Sequence, residues 1–282
     1  MTTRHVLTLR CPDRPGIVRA LADGVFSSDG NIVDSQQFTD ADTGTFFIRM
    51  EVDSPLEDAE ALDTALRDHL TAFDPDLRVR RSDRRQRVLI MVSRQDHCLV
   101  DLLYRWEAGQ LPIDIPVVVS NHPDTRPLVE RHGIAFVHVP VTGDTRGEAE
   151  ARLLELVEEH AVDLVVLARY MQILSDDLCT RLEGRIVNIH HSFLPAFRGA
   201  RPYHQAFERG VKIIGATAHH VTADLDEGPI IEQDVVRVSH ATSPEQLTVI
   251  GRDIERLVLA RAVQLVVEDR VLLNGTRTVV FP

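Results

Sequence analysis

The sequence predicts an α/β protein of two units, a ferredoxin-like βαββαβ unit followed by a doubly wound, mostly parallel Rossmann-like unit. Three observations predict it. Residues 1–80 alternate strand-like and helix-like periodicity in the order βαββαβ. The stretch Arg81-Ser82-Asp83-Arg84-Arg85-Gln86-Arg87 is charged and has no apolar anchor, so it reads as a link. From Val88 onward short apolar strands alternate with helical stretches, the pattern of a parallel sheet covered on both faces. A chain of 282 residues also suits two domains, at a prior of about 150 residues each. The division expected is 1–82 and 83–282.

Taken in order, residues 4–11 alternate apolar and polar and read as a strand. Pro12-Asp13-Arg14-Pro15-Gly16 turns the chain into a helix marked by Ile17, Leu21 and Val25, which Ser28-Asp29-Gly30 stops. Strands follow at about 31–39 and 45–52, joined by a turn-rich Asp40-Ala41-Asp42-Thr43-Gly44. A helix from Pro55 to about Leu70 and a strand at 77–80 complete the first unit. In the second, strands are expected at 88–92, 115–119, 135–139, 163–167 and 185–189. Helices are expected at about 97–108, 125–132, 146–160 and 176–183. Two longer strands, a helix at about 243–267 and a hairpin turned by Asn274-Gly275 close the chain.

Composition narrows the function. Charged residues at 26% and hydrophobic ones at 44% argue against disorder and disulfide scaffolds. The net charge is −12, and acidic residues exceed basic ones both before and after residue 80, so no phosphate-tracking face for nucleic acid is expected. Cys11, Cys98 and Cys179 are scattered without a C-x-x-C pair, which suits a reducing compartment and no metal clip. No stretch has the roughly 18 apolar residues of a membrane helix, and the N-terminal segment lacks the pattern of a signal peptide. A cytoplasmic protein with no membrane partner is the expectation.

The chemistry concentrates late in the chain. Five of the 13 histidines, His190, His191, His204, His219 and His220, fall within residues 190–220. Their spacing does not match a metal motif, and acid–base chemistry suits them better. Asn188-Ile189-His190 ends a predicted strand, and alternation puts Asn188 and His190 on one side of it, toward the crevice where open α/β sheets bind ligands. An amide beside an imidazole offers a donor for a carbonyl oxygen and a proton carrier; the triplet alone better fits two residues capping a strand. Ser192 to Pro202 suits an ordered loop over a pocket. Thr222 to Pro229 brings acidic and hydroxyl side chains into a turn, and alone reads as a solvated turn.

Together these segments are more specific. N-I-H, S-x-L-P, G-A-T-A-H and T-x-D-L-D-x-G-P-I, in that order, make residues 86–282 resemble the folate-dependent formyltransferase family. The resemblance implies Asn188, His190 and Asp226 as the catalytic set. It also implies Met171, Gln172, Ile173 and Leu174 as a folate-pocket segment, with His219, Asp224 and Gly228 contributing to substrate binding; the family often carries Arg where this chain has Gln172. Arg198 and Arg201 suit the substrate's carboxylates or a solvated role. Relatives that formylate glycinamide ribonucleotide hold its phosphate on a Gly-rich loop after the first strand, whereas Ser93-Arg94-Gln95-Asp96-His97-Cys98 has no glycine. The chain is also too short for the barrel of the tRNA enzymes. Water then remains as acceptor, and His191 stands where transformylases usually have Pro.

The resemblance thus implies hydrolysis of 10-formyltetrahydrofolate to formate and tetrahydrofolate, supplying formate for purine synthesis, with no metal or other cofactor. Residues 4–80, with R-C-P-D-R-P-G-I-V and G-N-I-V-D-S-Q-Q, are similar to an ACT domain. That similarity implies a homo-oligomer, a dimer or tetramer, and amino-acid effectors such as glycine and methionine near Asp13, Gly16 and Asn31. The same three residues suit a turn and a helix cap. Two other functions fit less of the pattern: a formyltransferase to an unidentified amine, and a non-catalytic folate sensor.

Overall fold

The computed structural model describes residues 2–195 and 202–282, and of Pro202 the backbone alone. The chain forms two compact units, Met1–Arg85 with Glu268–Leu272 and Val279–Pro282, and Gln86–Val267 with Leu273–Thr278.

The first unit comprises β1 (Thr3–Pro12), α1 (Ile17–Ser27), β2 (Asn31–Asp40), β3 (Thr45–Ser54), α2 (Ala59–Leu70) and β4 (Asp76–Arg81). Its antiparallel sheet has the order β2-β3-β1-β4. Alternation along β1 sends Leu7, Leu9 and Cys11 to one face, where they pack with Leu21 of α1 and Leu62 and Leu66 of α2. The second helix begins at Ala59 rather than Pro55, because the Asp58 side chain caps it, accepting from Glu60 N at 3.2 Å. On the opposite sheet face Phe47 packs with Leu272, Val279 and Phe281. The C-terminal segments therefore complete a second layer over the sheet, which local periodicity does not reveal.

The second unit comprises β5 (Gln86–Val92), α3 (His97–Glu107), β6 (Ile113–Asp114), β7 (Val117–Ser120), α4 (Arg126–Arg131), β8 (Ala135–His138), α5 (Arg146–Glu159) and β9 (Leu164–Leu167). It continues through α6 (Asp176–Arg181), β10 (Ile186–His190), α7 (Pro202–Glu208), β11 (Ile213–His220), β12 (Ile230–Arg237) and α8 (Pro244–Val267). A hairpin of β13 (Val271–Asn274) and β14 (Arg277–Val280) follows, with Gly275 at φ 60° in its turn.

The large sheet has the order β12-β11-β10-β9-β5-β7-β8, with β6 paired to β5 off that path. Strands β8 to β10 are parallel, and β11 and β12 are antiparallel additions. Both faces of β5 are buried: Leu89 and Met91 join α5 and α6 in one core, and α3 and α8 pack together on the other side. Chain order runs outward from β5 in both directions, so the topological switch lies between β5 and β9. The charged link is shorter than its sequence suggests, since Gln86 and Arg87 extend β5 and Arg87 N donates to Asp163 Oδ2 at 2.8 Å. Strand β7 starts after Pro116, which has no N–H to give a ladder. β6, of two residues, and α7, of seven, are too short to leave a periodic signal.

Candidate active site

The last residues of β10 carry Asn188 and His190 to the carboxyl end of the sheet, on one side of the strand. Antiparallel pairing with β11 sets Asn188 opposite His219 and His190 opposite Thr217. Beyond β11 the chain turns through Asp226, at φ 58°, and returns as β12. His190 Nδ1 lies 3.1 Å from Asp226 Oδ1, and His219 Nε2 lies 3.9 Å from the same oxygen. Burial works against the Asp226 charge, but the hydrogen bond and charge of His190 outweigh it and hold the carboxyl below its usual value.

His219 Nδ1 donates to the carbonyl of His220 at 2.8 Å, which leaves Nε2 as an acceptor for the Asn188 amide at 3.2 Å. Burial lowers the His219 pKa and keeps this tautomer neutral. One amide hydrogen of Asn188 is thus used to fix its orientation, and the other is left for a guest. His190 Nε2 has no partner among the described residues. His220, on the opposite side of β11, is buried and pushed down to about 4 by that burial, and it does not line the cavity.

These groups open into a cavity of about 580 Å³. The segment Met171, Gln172, Ile173 and Leu174 lines it, as do Asn188, His190, His219, Asp224 and Asp226. Leu174 is buried, whereas Met171 and Ile173 are exposed at the mouth. The segment is placed by Ser93 at the end of β5: its Oγ accepts from Met171 N at 3.0 Å and donates to Asn121 Oδ1 at 2.7 Å. Asp224 is an exposed residue of the lining.

Gly228 is a correction to the sequence reading. It is buried and does not line the cavity; a Cβ there would lie 1.8 Å from the carbonyl oxygen of His220. The hydrogen bond from His220 N to Pro229 O, at 2.9 Å, closes the same approach. Gly228 therefore lets the Asp226 turn sit against β11. Gly228→Ala is expected to cost about 1–3 kcal/mol of stability and to lower turnover by displacing Asp226. A variant with unchanged urea midpoint and turnover would remove this role.

Sequence reasoning missed the polar wall of the cavity. Arg169, at φ 64° after β9, is 8% exposed and ion-paired with Glu255 of α8, which is 1% exposed, at 3.3 Å. Gln95, His191 and Tyr203 complete this wall. The available signal was a glutamate on the apolar stripe of α8, between Gly251 and Val258. His97, Cys98 and Glu255 bring three metal-type donor atoms within 4.8 Å of one another, the one such group among the described residues. The Arg169 cation already occupies the Glu255 carboxylate, and burial drives the Cys98 thiol pKa up, so the trio suits an ion pair rather than a metal. Arg198 and Arg201 lie outside the described residues.

A formyl transferase family model matches residues 86–263, and an ACT domain model matches residues 4–80. The formyltetrahydrofolate deformylase of Corynebacterium sp. (strain P-1) is 50% identical over 99% of this chain and 98% of its own. A crystal structure of formyltetrahydrofolate deformylase from Burkholderia mallei is 48% identical, with a TM-score of 0.95, over 99% of this chain and all of that one. The chain belongs to the formyltetrahydrofolate deformylase family. By contrast, glycinamide ribonucleotide transformylase 1 from Symbiobacterium toebii is 33% identical, with a TM-score of 0.66, and covers 70% of this chain and 95% of its own. Full-length likeness thus distinguishes the deformylase family from the transformylases, which lack a counterpart for part of this chain.

The ACT domain of this family member separates the three residues expected near an effector. Asp13 and Gly16 lie in the β1–α1 turn, where Asp13 N donates to Gly44 O at 2.8 Å. Gly16, at φ 102°, starts α1. Asn31 pairs with Asp53 at the other end of the sheet, with the 11 residues of α1 between, a length of roughly 16 Å. Within one chain Asn31 therefore does not join the Asp13–Gly16 turn, because β1 and β2 run in the same direction and put the end of β1 and the start of β2 at opposite ends of the sheet.

Proposed function

We propose that this chain hydrolyses 10-formyltetrahydrofolate to formate and tetrahydrofolate, the reading carried by the convergence of Asn188, His190 and Asp226 in a family of formyltetrahydrofolate deformylases. The apolar lining around Leu174 and Tyr170 suits a flat heterocycle. The N10-formyl group then lies at the polar end, facing the second Asn188 amide hydrogen.

Water attacks the formyl carbon, and the ionised Asp226 takes its proton. The oxygen of the resulting tetrahedral intermediate is held by Asn188. His190, paired with Asp226 through Nδ1, presents Nε2 as a second donor or as the shuttle that returns the proton. Collapse breaks the carbon–N10 bond as N10 accepts the proton, releasing formate and tetrahydrofolate. Water is the only co-reactant required, and no metal or nucleotide enters.

The ACT domain supports regulation by a small amino acid such as glycine or methionine at the Asp13–Gly16 turn, and assembly as a dimer or tetramer. A cytoplasmic location suits a chain in which, among the described residues, no helix is long and apolar enough to cross a membrane. The deciding experiment supplies 10-formyltetrahydrofolate alone and follows formate and tetrahydrofolate. Release in equal amounts is expected. No release without an added amine would mean an acceptor-dependent formyltransferase.

A further inference from the structure

Behind His190 lies a buried ionic cluster that none of those steps uses. His191 stacks on His190, with ring centroids 4.9 Å apart and planes at 16°. The Arg169 guanidinium donates to His191 Nδ1. Arginine has no acceptor, so this nitrogen carries a lone pair and the neutral ring keeps its proton on Nε2. Burial, reinforced by the Arg169 charge, pushes the His191 pKa down to about 4.

Arg169 is gripped elsewhere by Gln95 Oε1, at 3.2 and 3.1 Å, and by Glu255 Oε2 at 3.3 Å. Glu255 also accepts from the Tyr203 hydroxyl at 2.6 Å and meets His97 Nε2 at 2.9 Å. About one turn earlier on α8, Gly251 makes room for that hydroxyl, since a Cβ there would lie 2.0 Å from it. A pair so deeply buried is poor evidence for stabilisation, because desolvation offsets the Coulombic gain. Its placement, one stacked ring from the proton carrier, needs another account.

We propose that Arg169, Glu255 and His191 are positioning residues that set the ring plane and the proton affinity of His190. The inference rests on the reading of His190 as part of the reaction centre. Asp226, in the turn after β11, meets His190 Nδ1, and His219 of β11 lies near the same Asp226 oxygen; His191 stacks on His190, Arg169 from the end of β9 touches His191, and Glu255 of α8 pairs with Arg169. His97 and Cys98 of α3 and Tyr203 of α7 stand around Glu255. With both members present, the positive and negative charges of the pair offset one another at His190, while neutral His191 transmits only orientation. Losing either charge would leave the other unbalanced in a low-dielectric site.

The test compares Glu255→Gln, Arg169→Gln and the double variant. Glu255→Gln leaves a bare cation, so the acidic limb of the kcat/KM profile is expected to move to lower pH. Arg169→Gln leaves a bare carboxylate and is expected to move it to higher pH. Each shift should be about half a unit or more. Arg169→Lys, which keeps the charge, should return the limb to its wild-type position. The double variant carries no buried charge from the pair, which keeps the question open to test if a single variant fails to fold. It should show a wild-type profile with kcat about tenfold lower and KM little changed. Imidazole NMR titration of His190 in the ligand-free protein reads the same opposed shifts without turnover. Failure of wild-type hydrolysis would therefore undo the proposed function and leave this arm standing. Shifts of one sign, no shifts, or a double variant with wild-type kcat would overturn the positioning role.

Discussion

Asp226→Asn is expected to lower kcat by about 10²–10⁴, with substrate affinity changed no more than a few fold. The substitution keeps the size of the side chain and the hydrogen bond to His190 in some form, so the αL turn at φ 58° is retained; Asn tolerates that conformation as well as Asp does. What it removes is the charge. The carboxylate is held ionised by His190 against the cost of burial, and an amide neither accepts a proton from water nor stabilises a protonated His190. In the proposed reaction Asp226 acts on the attacking water, so the loss should fall on kcat. Steady-state kinetics with binding of a non-hydrolysable folate would separate the two effects. Comparable losses in both would mean that Asp226 chiefly holds the pocket.

Asn188→Leu should lower kcat by about 10²–10³, the usual cost of one oxyanion donor. The side chain fills a similar volume but has no amide hydrogen for the formyl oxygen. The contact matters most when that oxygen carries charge, so KM should move much less than kcat. The variant also strips His219 Nε2 of its 3.2 Å partner. An independent His219→Leu variant measures that contribution, because it frees the Asn188 amide without deleting it. The smaller loss is expected for His219→Leu. Equal losses would mean that Asn188 acts only as part of a pair with His219, and not as the oxyanion donor.

Much of this was legible along the chain. Alternation in β1 and the apolar run of β5 identified both sheets, since burial on one face or on two leaves a direct imprint on residue order. The N-I-H triplet and the T-x-D-L-D-x-G-P-I turn identified three groups that meet in space, with His190 and Asp226 at 3.1 Å. Other features had no local signature. Gly228 looked like a ligand contact because it stood among such residues, yet its missing Cβ serves the packing of a turn against β11. Asn31 and Asp13 were both expected near an effector, yet strand direction puts them at opposite ends of the sheet.

The sequence by itself determined the order and type of the long elements, the excess of acid over base, the residues Asn188, His190 and Asp226 that meet at the cavity, and the likeness to a formyl-group family. Each depends on periodicity, composition or residues close together in the chain, and these survive without coordinates. Only the tertiary structure decided which nitrogen of His219 faces Asn188, that the C-terminal residues Leu272, Val279 and Phe281 cover Phe47, and that Arg169 meets Glu255. Arg169 and Glu255 lie far apart in the chain, and nothing in either segment's own periodicity requires the other. Pairing them is a consequence of desolvation: two charges taken from water in the same interior are stable there only together.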